Sequence, residues 1–328
     1  MSRFLVRRTA TALIVVVAVM TINFFALHLA PGDPTTVYLD ARMSPAQQDQ
    51  LRRSLGLDRP LLEQYLRWVG AIVLRGDLGD SFGHNRPVAW VLADHLPPTL
   101  LLLTTALLVQ FVAGIGLGVL AARREGSWVD ALVRWLSLAL YSTPHFWLAL
   151  MALLALSYNL GWFPAGHMIS VDAADWSQPR QWLDRLHHLA LPALALGLAL
   201  AGGVARFVRN SFVEVYQEPF IRSSRAAGVP EGRILWPLGL KNALVPVIQL
   251  AGLSLPYLMS GALVTEVIFS WPGMGRLTFN AVQGRDYPLV LGAALLTAVL
   301  VVVGNLLADV GHAAVDPRVR RAITNATS

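Results

Sequence analysis

Residues 100–122 run without an Asp, Glu, Lys or Arg, and five more stretches share that character: 9–29, 135–158, 189–205, 242–265 and 287–308. Each lies near the roughly 20 apolar residues that a helix needs to cross about 30 Å of hydrocarbon. In lipid the backbone must satisfy its own polar groups, within a helix or a closed barrel, and these runs are far too long for barrel strands. The expectation is an all-α membrane protein with six transmembrane helices. Charged residues make up 14% of the chain, against about 25% in soluble domains, so composition agrees that lipid is the solvent.

The first run follows Arg3, Arg7 and Arg8, as a signal peptide would, but it exceeds an h-region in length and Pro31 follows Ala30 where cleavage would fall. It reads as a membrane anchor. With both termini placed in the cytoplasm, the inner segments carry fifteen Lys and Arg and the short outer loops four. The positive-inside rule supports that orientation. The net charge of +6 is then a property of the membrane rims, and no nucleic acid is expected as a partner. The chain has no cysteine, which excludes disulfides and thiolate metal sites.

The long outer segment, 30–99, contains helix signals. Ser44 and Pro45 with Gln47 make a capping start for a helix that Gly56 stops. A second helix opens at Pro60, with Leu62, Leu66, Val69 and Val73 on one stripe, and closes at Gly76. This small cap either packs on the mouth of the membrane domain or docks an extracytoplasmic partner. Further outer positions, Trp162, Trp176 and Trp182, suit the headgroup layer. The adjacent His187 and His188 point to different helix faces, so no metal site is expected there.

Between two apolar runs, residues 206–241 form a basic hairpin punctuated by proline. Pro219 opens a short helix that ends at Ala227, Gly228 supplies a left-handed cap, and Pro230 restarts the chain. A helix this short is marginal alone in water, so it needs a neighbour. Phe220, Ser224 and Ala227 share a face that Arg222 and Arg225 flank. Such a segment reads as built to receive a force or a partner from the aqueous side, or else to lie on anionic headgroups.

Several chemistries are absent from the sequence. The only lysine, Lys241, is followed by Asn242, so there is no phosphate-binding loop for ATP. No His-Glu-x-x-His metal motif and no Gly-x-Ser-x-Gly nucleophile elbow occurs, so no catalytic residue is assigned. The span interiors lack the charged residues that bind a driving ion, with Glu266 and Asp309 near span ends. Energy is therefore expected from another chain.

A series of short motifs carries a resemblance over nearly the whole chain. It runs from Pro31-Gly32-Asp33-Pro34 through Gly76-Asp77-Leu78-Gly79 with Ser81, then Ser142-Thr143-Pro144-His145-Phe146-Trp147. It continues in the hairpin and through Trp271-Pro272-Gly273, Arg285-Asp286-Tyr287-Pro288 and Asp316-Pro317-Arg318. In this order they resemble the inner-membrane permeases of ATP-binding-cassette (ABC) importers, in the peptide/nickel group and of the first-permease type. The resemblance implies a type I importer permease fold divided into an inner terminus and first span (1–29), an extracytoplasmic helical segment (30–99), a core with five spans (100–311) and an inner tail (312–328). It implies a second homologous permease, two ATPases that carry ATP and magnesium, an outer substrate-binding protein, and no cofactor on this chain. ATPase coupling carries over to Phe220, Arg222, Ser223, Ser224, Arg225, Ala226, Ala227 and Gly228, with Asn242 behind them. Pro31, Gly32, Asp33, Pro34, Trp271, Pro272 and Gly273 carry over as outer-face motifs. The chain departs from the family at Pro219, Phe220 and Ala227, where an acid, a tyrosine and a lysine are common.

The mechanism implied is alternating access, with the hairpin as a lever. Di- or oligopeptides are the implied cargo, with nickel complexes, opines, glutathione or sugars as alternatives. An ATP-independent secondary transporter and a membrane scaffold are the competing classes.

Overall fold

The computed structural model describes residues 2–30, 58–240 and 261–315, with single positions at 46, 47, 50, 53, 243, 247, 250, 254 and 259. Outside these lie Pro31, Gly32, Asp33 and Pro34, the helix signals at Ser44, Pro45 and Gly56, Lys241 and Asn242, most of the expected span 242–265, and the motif at Asp316. Among the described residues four helices are long and apolar enough to cross a membrane: Arg8–Leu29, Val88–Arg123, Gln178–Gln217 and Tyr287–Leu306. A fifth crossing needs a bent pair of helices to be counted as one.

Contacts divide the chain into two compact units. The first holds residues 2–97 and 273–302. Its helices are α1 (Ser2–Leu29), α2 (Leu61–Arg75), the start of α3 (Val88–Arg123), and, from the later part of the chain, Met274–Gln283 and the start of Tyr287–Val315. A two-residue hairpin, β1 (Asp80–Ser81) with β2 (Arg86–Pro87), pairs Asp80 with Pro87 just ahead of α3. The core of this unit joins Val88, Val91 and Leu92 to Met274, Leu277 and Leu289.

Helix α2 begins after Pro60 and ends at Gly76, whose φ of 65° supplies the left-handed cap the sequence predicts. Leu62, Leu66 and Val73 are 62%, 60% and 74% exposed, while Tyr65 and Trp68 turn to α1. Aromatic stacking decides this: the Phe24 ring lies 5.6 Å from Trp68 and 5.3 Å from Tyr65, whose hydroxyl bonds Thr21 at 2.7 Å. Aromatic side chains bury more area than leucine and keep a polar handle. The aliphatic stripe is thus left outward, as suits lipid or a partner.

The second unit holds, among the described residues, those within 98–272 and 303–315. After α3 come α4 (Trp128–Ser142), α5 (His145–Ala152) with a π-helical continuation Leu153–Asn159, and the 40-residue α6 (Gln178–Gln217). The expected span over 135–158 is bent: α4 and the α5 segment meet at 102°, as in a broken span or a re-entrant loop. Pro144 has no N–H to continue α4 and holds Thr143 extended. The freed carbonyls are taken up locally, Leu138 by the Ser142 hydroxyl and Ala139 by both the N–H and the hydroxyl of Thr143.

Close backbone contact assembles this unit, as small residues allow in membranes. A Cβ on Gly202 of α6 would stand 2.3 Å from the Ser137 carbonyl of α4, and one on Gly118 of α3 2.7 Å from the Ala205 carbonyl of α6. Trp271 is fully buried with Leu102, Leu189 and Ala193, and its indole N–H donates to the Pro98 carbonyl at 2.9 Å. In the expected outer-face motif Trp271-Pro272-Gly273, Trp271 and Gly273 are buried and Pro272 is half-buried. Glu266, expected near a span end, is fully buried and accepts the Thr99 hydroxyl at 2.7 Å.

Candidate coupling hairpin

Forty residues of α6 extend about 60 Å at 1.5 Å per residue, twice the roughly 30 Å of hydrocarbon. The helix therefore carries its far end well past the apolar layer. Glu218 breaks it with extended backbone (φ −63°, ψ 145°) and in the same step caps the next helix, α7 (Pro219–Ala226), with Pro219 at the first helical position. Gly228 follows at φ 76°. The Val229 N–H reaches back to the Ser224 carbonyl at 3.1 Å, and that of Ala227 to Ser223 at 2.9 Å. Pro230 then starts α8 (Glu231–Arg233), which runs on as a π-helical segment, Ile234–Leu240. Each stop and start expected from Pro219, Gly228 and Pro230 is found.

Rotation of α7 about its axis is set by Ile221, which is fully buried, as is Ile234 on the return limb. Burying an isoleucine side chain is worth about 2–3 kcal/mol. The ion pair of the hairpin, Arg225 with Glu231, is exposed and screened by solvent, so the apolar anchor decides the orientation. Phe220, Arg222, Ser223, Ala226, Ala227 and Gly228 face solvent, Phe220 at 41% exposure. Ser224 is half-buried.

Arg225 is turned to its own chain. Its Nε donates to Glu231 Oε1 at 2.6 Å, and the guanidinium lies 5.0 Å over the Tyr216 ring. The Glu231 carboxylate raises the guanidinium pKa further above its ordinary value. The expected face of Phe220, Ser224 and Ala227 flanked by two arginines is thus amended. Ser224 and Arg225 brace the hairpin, and the open face is Phe220, Arg222, Ser223, Ala226 and Ala227. Both serine hydroxyls bond back within the helix, Ser223 to Pro219 and Ser224 to Phe220.

Above the hairpin a second brace joins α6 to α4. Arg209 grips the buried Asp130, which also accepts the Gly126 N–H at 3.1 Å. Ser127 accepts the Asp130 N–H at the start of α4, and that capping pattern is visible in the sequence, whereas the Arg209 partnership is not. Arg206 lies 4.5 Å over the Tyr141 ring. Sequence reasoning missed Asp130, Tyr216, Ile221 and Glu231 as parts of the site.

Among the described residues no group of three or more His, Cys, Asp or Glu side chains could hold a metal ion. His187 contacts the Trp162 carbonyl at 2.7 Å while His188 contacts that of Asp184 at 2.9 Å, so the two rings serve different partners.

Comparison with known proteins gives two family matches: the binding-protein-dependent transport system inner membrane component over residues 114–321, and the N-terminal region of such membrane components over 1–103. The chain is 38% identical over 320 residues to the oligopeptide transport system permease protein AppB of Bacillus subtilis, covering 97% of this chain and 99% of that one. It is 35% identical over 337 residues to the dipeptide transport system permease protein DppB of Escherichia coli K12, at 98% and 99% coverage. It is also 35% identical over 320 residues to the glutathione transport system permease protein GsiC of Pectobacterium atrosepticum, again at 98% and 99%. Among solved structures, an inward-facing MetNI methionine ABC transporter matches with TM-score 0.55 at 19% identity, over 69% of this chain and 97% of that one, which establishes likeness of fold.

Proposed function

Since this chain belongs to the family of binding-protein-dependent transport system inner membrane components, a permease subunit of an ABC transporter and not itself an enzyme, we propose that its hairpin is the grip for a separate ATPase and that its cargo is a di- or oligopeptide. The family works with an ATPase and a substrate-binding protein, in the inner membrane. The finer assembly proposed is two ATPases carrying ATP and magnesium, a second homologous permease beside this one, and no cofactor bound by this chain. Both termini are placed in the cytoplasm, with residues 30–99 outside and 312–328 inside.

One observation carries the coupling role: a short helix, opened by Pro219 and closed by Gly228, anchored by a buried isoleucine and set one residue beyond a 40-residue helix. A force on Phe220, Arg222, Ser223, Ala226 or Ala227 passes into α6 through bonded and packed structure, where a loose loop would dissipate it. ATP-driven closure of the ATPases would move α7, tilt the spans and expose the path outward, and hydrolysis would reset it. Gly228 and Asn242, the latter outside the described residues, belong to the same proposed site. Pro31, Gly32, Asp33, Pro34, Trp271, Pro272 and Gly273 remain proposed as family motifs of the outer part.

Peptide cargo is supported by the names of relatives that match over nearly their whole length; the glutathione system among them marks the nearest alternative. The test of coupling is the pair Phe220→Ala and Arg222→Glu in the assembled complex. Uptake should fall more than about tenfold, a loss of some 1.4 kcal/mol of coupling, with the permease still in the membrane and the ATPase more easily washed away. Unchanged uptake and retention would overturn the assignment. The ligand carried by the co-purifying binding protein tests the cargo.

A further inference from the structure

We propose that a cleft of about 430 Å3 at the end of α3 is a binding site for one anionic phospholipid, held by its headgroup phosphate. The assignment rests on the orientation proposed above, which puts this end of α3 at the inner headgroup layer. One wall is a stripe of α3 made by Ile115, Val119 and Leu120, and the other is Trp236 with Leu240 from the limb that returns from the hairpin. Arg123 and Arg124 stand at the polar end.

Three features fit a lipid. The walls are aliphatic, and Leu120 and Trp236 are exposed, at 40% and 59%, so they gain from an acyl chain laid against them. Gly116 keeps the floor open: a Cβ there would meet nothing within 4 Å. At the mouth two exposed guanidiniums sit side by side without an ion-pair partner among the described residues, because the nearest acid in sequence, Glu125, faces Arg209 at 3.8 Å instead. Guanidiniums match phosphate oxygens in fork geometry, and basic pockets between spans on the inner side suit anionic headgroups. Tryptophan is at home in this layer. The occupant would bridge α3 and the hairpin's return limb, so the lipid would tie the coupling element to a span it does not follow in sequence.

The test uses the assembled permease–ATPase complex in nanodiscs that contain a photoactivatable phosphatidylglycerol or the matching phosphatidylcholine, each with its crosslinker in the acyl chain. Phosphatidylglycerol should label the peptides containing Leu120 and Trp236 far above phosphatidylcholine. At about 1 kcal/mol for each arginine at an anionic surface, the double change Arg123→Gln, Arg124→Gln should cut that labelling about tenfold or more. Gly116→Phe should cut it similarly with both arginines present, which separates the cleft from mere surface charge. Equal labelling by the two lipids, or labelling indifferent to the arginine pair, would mean ordinary boundary lipid and overturn the proposal. So would loss of labelling to inorganic phosphate, or labelling seen only after the ATPases are stripped away, which would give the cleft to a protein. If phosphatidylglycerol labelling holds while cysteine labelling puts the hairpin outside, the orientation falls and the lipid site stands.

Discussion

Arg209 holds Asp130 at both carboxylate oxygens, Nε to Oδ1 and Nη2 to Oδ2, each at 2.9 Å, and Asp130 is 1% exposed. The pair fastens the last part of α6, ahead of the hairpin, to the first turn of α4. Removing the guanidinium leaves the buried Asp130 carboxylate with the more exposed Arg134, 3.5 Å away, as its remaining cation, so the cost stays below the roughly 3–5 kcal/mol of a fully unpaired buried charge. Arg209→Met is therefore expected to destabilise the purified complex in thermal unfolding by less than about 3 kcal/mol. Adding Asp130→Asn should return more than half of that loss, since no buried charge then remains. Equal unfolding temperatures for wild type and Arg209→Met would rule the brace out.

What the sequence disclosed and what it hid divide by range. Pro219, Gly228 and Pro230 act on their own backbone, so the hairpin's stops and starts were readable in advance. The apolar runs were readable too, because span length is a property of each segment alone. Pro144 was in plain view, yet the apolar composition continues through it and concealed the 102° bend. The stripe of Leu62, Leu66 and Val73 did not say which face of α2 meets α1, because at a membrane surface the outward face is also apolar. Partnerships across long separations left no local mark. Arg209 lies 79 residues from Asp130, and Ser81, whose hydroxyl donates to Asp286 at 2.5 Å, lies 205 residues from it.

Arg225 separates an internal brace from a contact with the ATPase. If it serves chiefly by its bond to Glu231, Arg225→Glu should impair ATP-driven uptake and Glu231→Arg on top should restore most of it. Arg222→Glu, on the open face, should impair uptake with no rescue by Glu231→Arg. The pair is exposed and screened by solvent, so the effect belongs in uptake rates and not in unfolding temperature. Failure of the swap to rescue Arg225→Glu would move Arg225 to the partner's side.

Gly228 stands at φ 76°, where a Cβ approaches the following carbonyl oxygen and costs about 1–2 kcal/mol. Space is not the obstacle, since nothing lies within 4 Å of a Cβ built there. Gly228→Val should therefore loosen the end of α7 without collision elsewhere. ATP hydrolysis by the complex should persist while peptide uptake falls several-fold. A variant with hydrolysis and uptake both at wild-type levels would show that the cap transmits nothing.

Orientation is open to direct labelling, because the chain has no native cysteine. Ser81, at first sight a good outer reporter, is 1% exposed and bonded to Asp286, so a thiol there would stay hidden from either side. Arg86 on the neighbouring strand is a better choice, at 53% side-chain exposure in a surface pair with Asp94 worth about 0–1 kcal/mol. On the hairpin, Ser223 faces solvent where Ser224 is half-buried. In intact cells a membrane-impermeant maleimide should label Arg86→Cys at once and leave Ser223→Cys untouched until the inner face is opened. Bound ATPase should then slow labelling of Ser223→Cys if α7 is the element it holds, as proposed. Labelling of Ser223→Cys from outside would reverse the orientation and remove the hairpin from any cytoplasmic motor.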